Sequence, residues 1–179
     1  MKSVLKLLTI LFLSTASAQQ KIPDWFVENM KASTGTWITD NTSYQNQNEP
    51  FDQYGMHWDW SAGKQNITGK LYGLINGKKQ GVLWEFRQYW DYGKNRGVIV
   101  QYGADGTVGK GPLTLKKDQI SELIQEFVAP NGKKTIHGHR STLKDGVLVT
   151  TSFDIDSQGV WQKRRTYTWN HIENQNSMN

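Results

Sequence analysis

Eight turn signals divide most of the chain into runs of about 8 to 12 residues, and this punctuation restricts the fold more than any other feature. The signals are Ala62-Gly63, Asn76-Gly77, residues 91–95, Asp105-Gly106, residues 116–118, residues 130–132, Asp145-Gly146 and residues 157–159. Runs of that length between Gly- and Asn-rich turns are strands of an antiparallel meander. With a first strand expected over 34–40, the count is about ten. Even spacing predicts an all-β, up-and-down barrel, because closure is what removes exposed sheet edges. The 17 Gly, 8 Trp and 7 Tyr suit such a structure.

Two segments depart from the meander. IPDWFVENMK (22–31) sets Pro23 and Asp24 before Trp25, Phe26 and Met30 at helical spacing, which predicts one short amphipathic helix. NTSYQNQNEPFDQ (41–53) is the one long connection, polar throughout most of its length, and is a candidate lid over one end of the barrel.

The N-terminus reads as an address. Lys2 and Lys6 precede an apolar run and then Ala16-Ser17-Ala18, the pattern of a cleaved signal peptide, so residues 1–18 are set apart and residues 19–179 form a single exported domain, periplasmic or secreted. The apolar run is shorter than the roughly 20 residues that span a bilayer, and no integral membrane segment is expected. There is no cysteine, hence no disulfide framework. Removing two lysines lowers the formal charge from +5 to +3, and the remaining lysines sit mostly in turns. That distribution does not suit nucleic acid.

Two-residue turns predict which residues face one another. A turn at Asn76-Gly77 sets Gly69 opposite Trp84 and Ile67 opposite Phe86; one at Asp105-Gly106 sets Tyr102 opposite Gly109; a four-residue turn after Trp60 sets Trp58 beside Gly69. The expected interior is therefore lined by Trp58, Trp84, Phe86 and Tyr102, with glycines making room for them. Such rings either fill a barrel or border a cavity, and ten strands enclose more space than eight.

Toward the C-terminus, a turn at Asp145-Gly146 sets Arg140 opposite Thr151 and Gly138 opposite Phe153. If the apolar Val149, Phe153 and Ile155 face inward, Arg140 does too, and a three-residue turn at 157–159 adds Arg165 and Tyr167. Buried guanidinium groups need anions. The strand over 120–129 has two possible registers: a three-residue turn pairs Glu122 with Arg140 and Glu126 with Ile136, whereas a four-residue turn turns Leu123, Gln125 and Phe127 inward and the glutamates out. The second is preferred, since it buries Phe127 rather than two carboxylates.

Other motifs carry less. His137 and His139 share a face, but by the same register it is the outer one, and no metal or other cofactor is expected. His57 and Asp59 fall on the face opposite Trp58. His171, alone at the end of the last strand, is a weak candidate for an axial ligand.

Gly35-Thr36-Trp37, opening the first strand after a short helix, resembles the Gly-x-Trp signature of the calycins, the lipocalins and fatty-acid-binding proteins. Arg165-Thr166-Tyr167 on the last strand resembles the Arg-x-Tyr of fatty-acid-binding proteins, with Arg140 as the second arginine. The resemblance implies a ligand-binding barrel in which these three residues grip a carboxylate. It also has departures: a polar loop replaces the helix pair of fatty-acid-binding proteins, and no helix follows the barrel as in lipocalins. Three functions stay open: a carrier of a small amphipathic, anionic ligand; a small lyase or isomerase with Glu122 or Glu126 as base and Arg140 and Tyr167 stabilising an oxyanion; and a solid-cored interaction protein.

Overall fold

A computed structural model describes residues 21–172. The expected signal segment, residues 1–18, lies outside them. One helix, α1 (Asp24–Ser33), is followed by β1 (Gly35–Asp40), β2 (Gln53–Trp60), β3 (Asn66–Ile75), β4 (Lys78–Asp91) and β5 (Arg96–Gly103). The second half adds β6 (Val108–Leu115), β7 (Ser121–Val128), β8 (Lys134–Lys144), β9 (Val147–Ile155) and β10 (Trp161–Ile172). Every strand pairs antiparallel with its neighbours in sequence, and β1 also pairs with β10. The sheet is a closed ten-stranded barrel of the up-and-down type, compatible with a calycin-like fold.

α1 begins behind Pro23, whose φ of −58° suits a helix start, and carries Asp24 in its first turn, where the helix dipole favours a negative charge. Phe26 and Met30 lie one turn apart on one face and are both fully buried. That face plugs one end of the barrel: the Phe26 ring meets Trp90 at 5.2 Å, and Gly97 leaves room for it. Trp37, the tryptophan of the β1 signature, donates from Nε1 to the Ser33 carbonyl at 2.9 Å, tying the plug to the wall. At the opposite end run the connections β1–β2, β3–β4, β5–β6, β7–β8 and β9–β10.

The registers reproduce some expectations and shift others. β2 and β3 pair as read, with Trp58 beside Gly69 and Met56 beside Leu71. A Cβ on Gly69 would lie 2.5 Å from the Trp58 ring, so the glycine is what lets the indole lie against the wall. Between β3 and β4 two irregularities displace the pairing by two residues, so Leu71 faces Trp84 and Gly69 faces Phe86. A shift of two keeps every side chain on its face.

The β5–β6 connection differs in consequence. Gly103 donates to the Thr107 carbonyl at 2.7 Å and Gly106 takes φ +86°, so the loop is one residue longer than a two-residue turn. Tyr102 then pairs with Val108 rather than Gly109, turns outward and is 52% exposed. Gln101 takes the inward place.

β8 and β9 pair as expected, Arg140 with Thr151 and Gly138 with Phe153, but the opposite face points inward. On β10 a bulge between Lys163 and Arg165 shifts the register by one, so Arg165 pairs with Ser152 and Tyr167 with Thr150. β7 takes the register that pairs Glu122 with Arg140 and Glu126 with Ile136. The preferred orientation nonetheless holds for β7, with Leu123 and Phe127 inside, because Arg140 is outside as well.

Candidate functional site

Within the barrel lies a cavity of about 1030 Å³. Its floor is polar and comes partly from α1: Asn29 and Ser33 border it, and Gln88 donates to Asn29 Oδ1 at 2.8 Å. Its sides are of two kinds. Strands β2 to β7 supply an apolar wall containing Met56, Trp58, Trp84, Phe86, Leu113 and Phe127. Trp58 stacks on Phe86 with centroids 5.2 Å apart, and Trp84 meets the Phe127 ring edge-on at 5.8 Å. Strands β8 to β10 supply most of the hydroxyls, imidazoles and guanidinium groups, including Thr135, His137, His139, Ser141, Arg164 and Arg165, set among the apolar Leu148, Phe153 and Trp169.

The two histidines thus face inward, which corrects their expected outward placement. The physical reason is that this part of the barrel encloses open space rather than packed side chains, so its inner positions need not be apolar, although burial still weighs on His139 there. His137 Nδ1 lies 2.8 Å from Asp154 Oδ1 and His137 Nε2 lies 3.0 Å from Thr135 Oγ1. Asp154 Oδ2 lies 3.4 Å from Arg164 Nε, an ion pair. His139 is pushed down to a pKa of about 4, first by burial and to a lesser degree by its neighbours His137 and Arg164. It is neutral at physiological pH.

Arg140 does not join the cavity. Its Nε donates to Glu122 Oε2 at 3.0 Å, and its guanidinium lies 4.5 Å over the Trp161 ring and 5.4 Å from that of Phe153. The expectation that Arg140 points inward is therefore overturned. An apolar pair at the rim, Trp161 under the cation and Phe153 also bordering the cavity, accounts in part for the apolar residues that had marked this face as interior. Glu122 also meets Lys116 at 3.2 Å, and Glu126 pairs with Lys134, so neither glutamate offers the cavity a base.

Arg165 and Tyr167 do lie at the cavity, and the β1–β2 connection comes down onto them. Arg165 grips Glu49 with both Nη atoms at 2.6 Å, a bidentate pair. Tyr54 also donates to the Glu49 carboxylate. Tyr167 accepts from Arg165 at 3.2 Å and donates to Asn41 Oδ1 at 2.8 Å, while Asn41 Nδ2 holds the Phe51 carbonyl at 2.9 Å. The Arg165 contact holds Glu49 below the ordinary carboxylate range. Burial raises Tyr54 and Tyr167, and the Glu49 contact raises Arg165 further. Asn46, Asn48 and Glu49 thus cover one side of the mouth, while Leu83, Ala104 and Lys133 border the other.

The sequence reading found Trp58, Trp84, Phe86, Arg165 and Tyr167, all of which line this cavity, together with Arg140 and Tyr102, which do not. It missed Asn41, Glu49, Tyr54 and the inward histidines. One signal for Glu49 was available: it and Asp52 are the only acids in the loop facing an arginine that needed an anion. His57 bridges Thr36 and Asp59 on the outer face, as read. His171 packs on Trp37 at 4.8 Å, in a part of the barrel that does not border the cavity. Among the described residues no three His, Cys, Asp or Glu side chains cluster as metal ligands. The chain matches no protein-family model and no curated protein.

Proposed function

We propose that the protein is an exported binding barrel for a small amphipathic, anionic molecule. The observation that carries this reading is the cavity with two unlike walls, of a size that accepts a ligand of ordinary metabolite or lipid dimensions. The apolar part of the ligand lies against Trp58, Trp84, Phe86 and Phe127. Its anionic head takes Arg165 and Tyr167, displacing the Glu49 carboxylate that occupies them in the closed form. The lid is thereby coupled to occupancy, since the group that leaves Arg165 belongs to the loop over the mouth. Export rests on the character of residues 1–18.

Native mass spectrometry of the protein isolated from its own source, followed by denaturation and analysis of what is released, tests the proposal. A stoichiometric small acid is the expected result. A protein that is empty, and that binds none of a series of medium-chain carboxylates, rules the reading out.

A further inference from the structure

The polar wall contains an arrangement that binding alone does not require. We propose that Thr135, His137 and Asp154 act as nucleophile, general base and positioning residue in the cleavage of carboxylic esters held in the cavity. Thr135 and His137 alternate on one face of β8, and Asp154 stands opposite His137 on β9. Asp154 Oδ1 is 2.8 Å from His137 Nδ1, and His137 Nε2 is 3.0 Å from Thr135 Oγ1. The tautomer that carries its proton on Nδ1, the side of the carboxylate, leaves the Nε2 lone pair facing the hydroxyl. That is the order of contacts, acid to Nδ1 and nucleophile to Nε2, by which an imidazole activates an alcohol.

The surroundings fit the chemistry. The Phe127 ring meets the imidazole edge-on at 5.0 Å and limits its rotation. Arg164 Nε lies 3.4 Å from the second oxygen of Asp154, an ion pair between half-exposed side chains. Thr135 and His137 both border the cavity, so the hydroxyl is presented to whatever lies against Trp84 and Phe127. Lys133, two residues before Thr135, and Arg164 also border it and bring positive charge toward a developing oxyanion.

In the first step Thr135 Oγ1 attacks the ester carbonyl carbon and its proton passes to His137 Nε2. The carbon–oxygen bond to the alcohol then breaks, and the alcohol leaves with that proton. Water, deprotonated by the same Nε2, attacks the acyl-threonine; the carboxylic acid departs and the proton returns to Thr135. No further reactant is consumed. The inference needs the cavity but not the anionic head site at Arg165, so the two proposals fail separately.

The test uses p-nitrophenyl acetate, butyrate and octanoate with the protein lacking residues 1–18. Wild type should release p-nitrophenol at least ~100-fold faster than Thr135→Val, which keeps the side-chain shape and removes the hydroxyl, and His137→Gln should fall as far. Thr135→Ser should retain turnover. Asp154→Asn should lower kcat with KM unchanged, a split that loss of packing would not produce. A fluorophosphonate probe should add its phosphonyl mass to the peptide containing Thr135. Equal rates for wild type and Thr135→Val, no turnover of any of the three esters, or phosphonylation at another residue would each overturn the inference.

Discussion

The Glu49 carboxylate lies face to face with the Arg165 guanidinium, each Nη atom 2.6 Å from a different carboxylate oxygen. A residue of the longest loop is thereby fastened to the strand that closes the barrel. Arg165 and Tyr54 both hold the Glu49 carboxylate, and Tyr167 supports Arg165.

Substituting Glu49→Gln should therefore have two opposite effects. It weakens a charge-assisted contact of about 1.5–3 kcal/mol and should speed hydrogen exchange of the loop backbone. It also removes the internal competitor, so a medium-chain carboxylate such as dodecanoate should bind more tightly, as calorimetry would show. Unchanged exchange in the loop would mean that the latch does not hold it.

Glu49 gives the latch a defined pH dependence. Its folded pKa is lowered, so its contribution to stability is complete above the ordinary carboxylate range and is lost as pH falls through its depressed value. The loop amides should keep wild-type protection at neutral pH and lose it in acid, and Glu49→Gln should abolish that dependence.

His139 contributes over a different window. The unfolded chain takes up a proton near pH 6.5, whereas the buried imidazole in the folded protein does so only near pH 4. Between these values the unfolded state binds more protons, so stability falls as pH drops from about 6.5 toward 4. Denaturant melts across this range should show that slope. In His139→Gln the slope should be smaller.

Arg165 and Arg140, equivalent in a reading of the sequence, should separate in the laboratory. Arg165→Ala is expected to weaken dodecanoate binding at least ~10-fold, about 1.4 kcal/mol. Arg140→Ala leaves the cavity untouched and should leave affinity unchanged. Quenching of Trp58 and Trp84 fluorescence on binding would place the chain of the ligand against the apolar wall.

Gly111 tests the packing of the closed sheet. A Cβ there would sit 1.7 Å from the Ile124 carbonyl oxygen, a backbone atom that cannot swing aside as a side chain can. Gly111→Ala should cost about 3 kcal/mol and lower Tm by about 10 °C. A melt within a degree or two of wild type would show that the β6–β7 seam yields easily.

The architecture was legible because turn chemistry and strand spacing are local. Asn76-Gly77 and Asp145-Gly146 lie where the structure turns, and β2 pairs with β3 as the turn after Trp60 requires. Face assignments failed where they relied on apolar residues pointing inward. Trp161 lies outside under Arg140 with Phe153 beside it at the rim, while His137, His139, Thr150 and Ser152 line open space. Tyr102 was misplaced by a single loop residue, which the Asp105-Gly106 dipeptide does not announce. Arg165 and Tyr167 were correctly turned inward, but through two compensating errors: the assumed face of β9 was wrong, and the bulge in β10 was not foreseen.

That bulge has a consequence for how the barrel is put together. β10 joins β9 on one side and β1 on the other, so it is the stave that completes the ring. A regular stave would send Arg164 and Arg165 to opposite sides, yet both border the cavity. The inserted residue breaks the parity of the strand at one point, and the stretch that seals against β1 is out of phase with the stretch near the mouth. Two adjacent positive charges enter the lumen where alternation would have admitted one, and deleting either residue would restore a regular stave that keeps every other partner and brings a single arginine to that point.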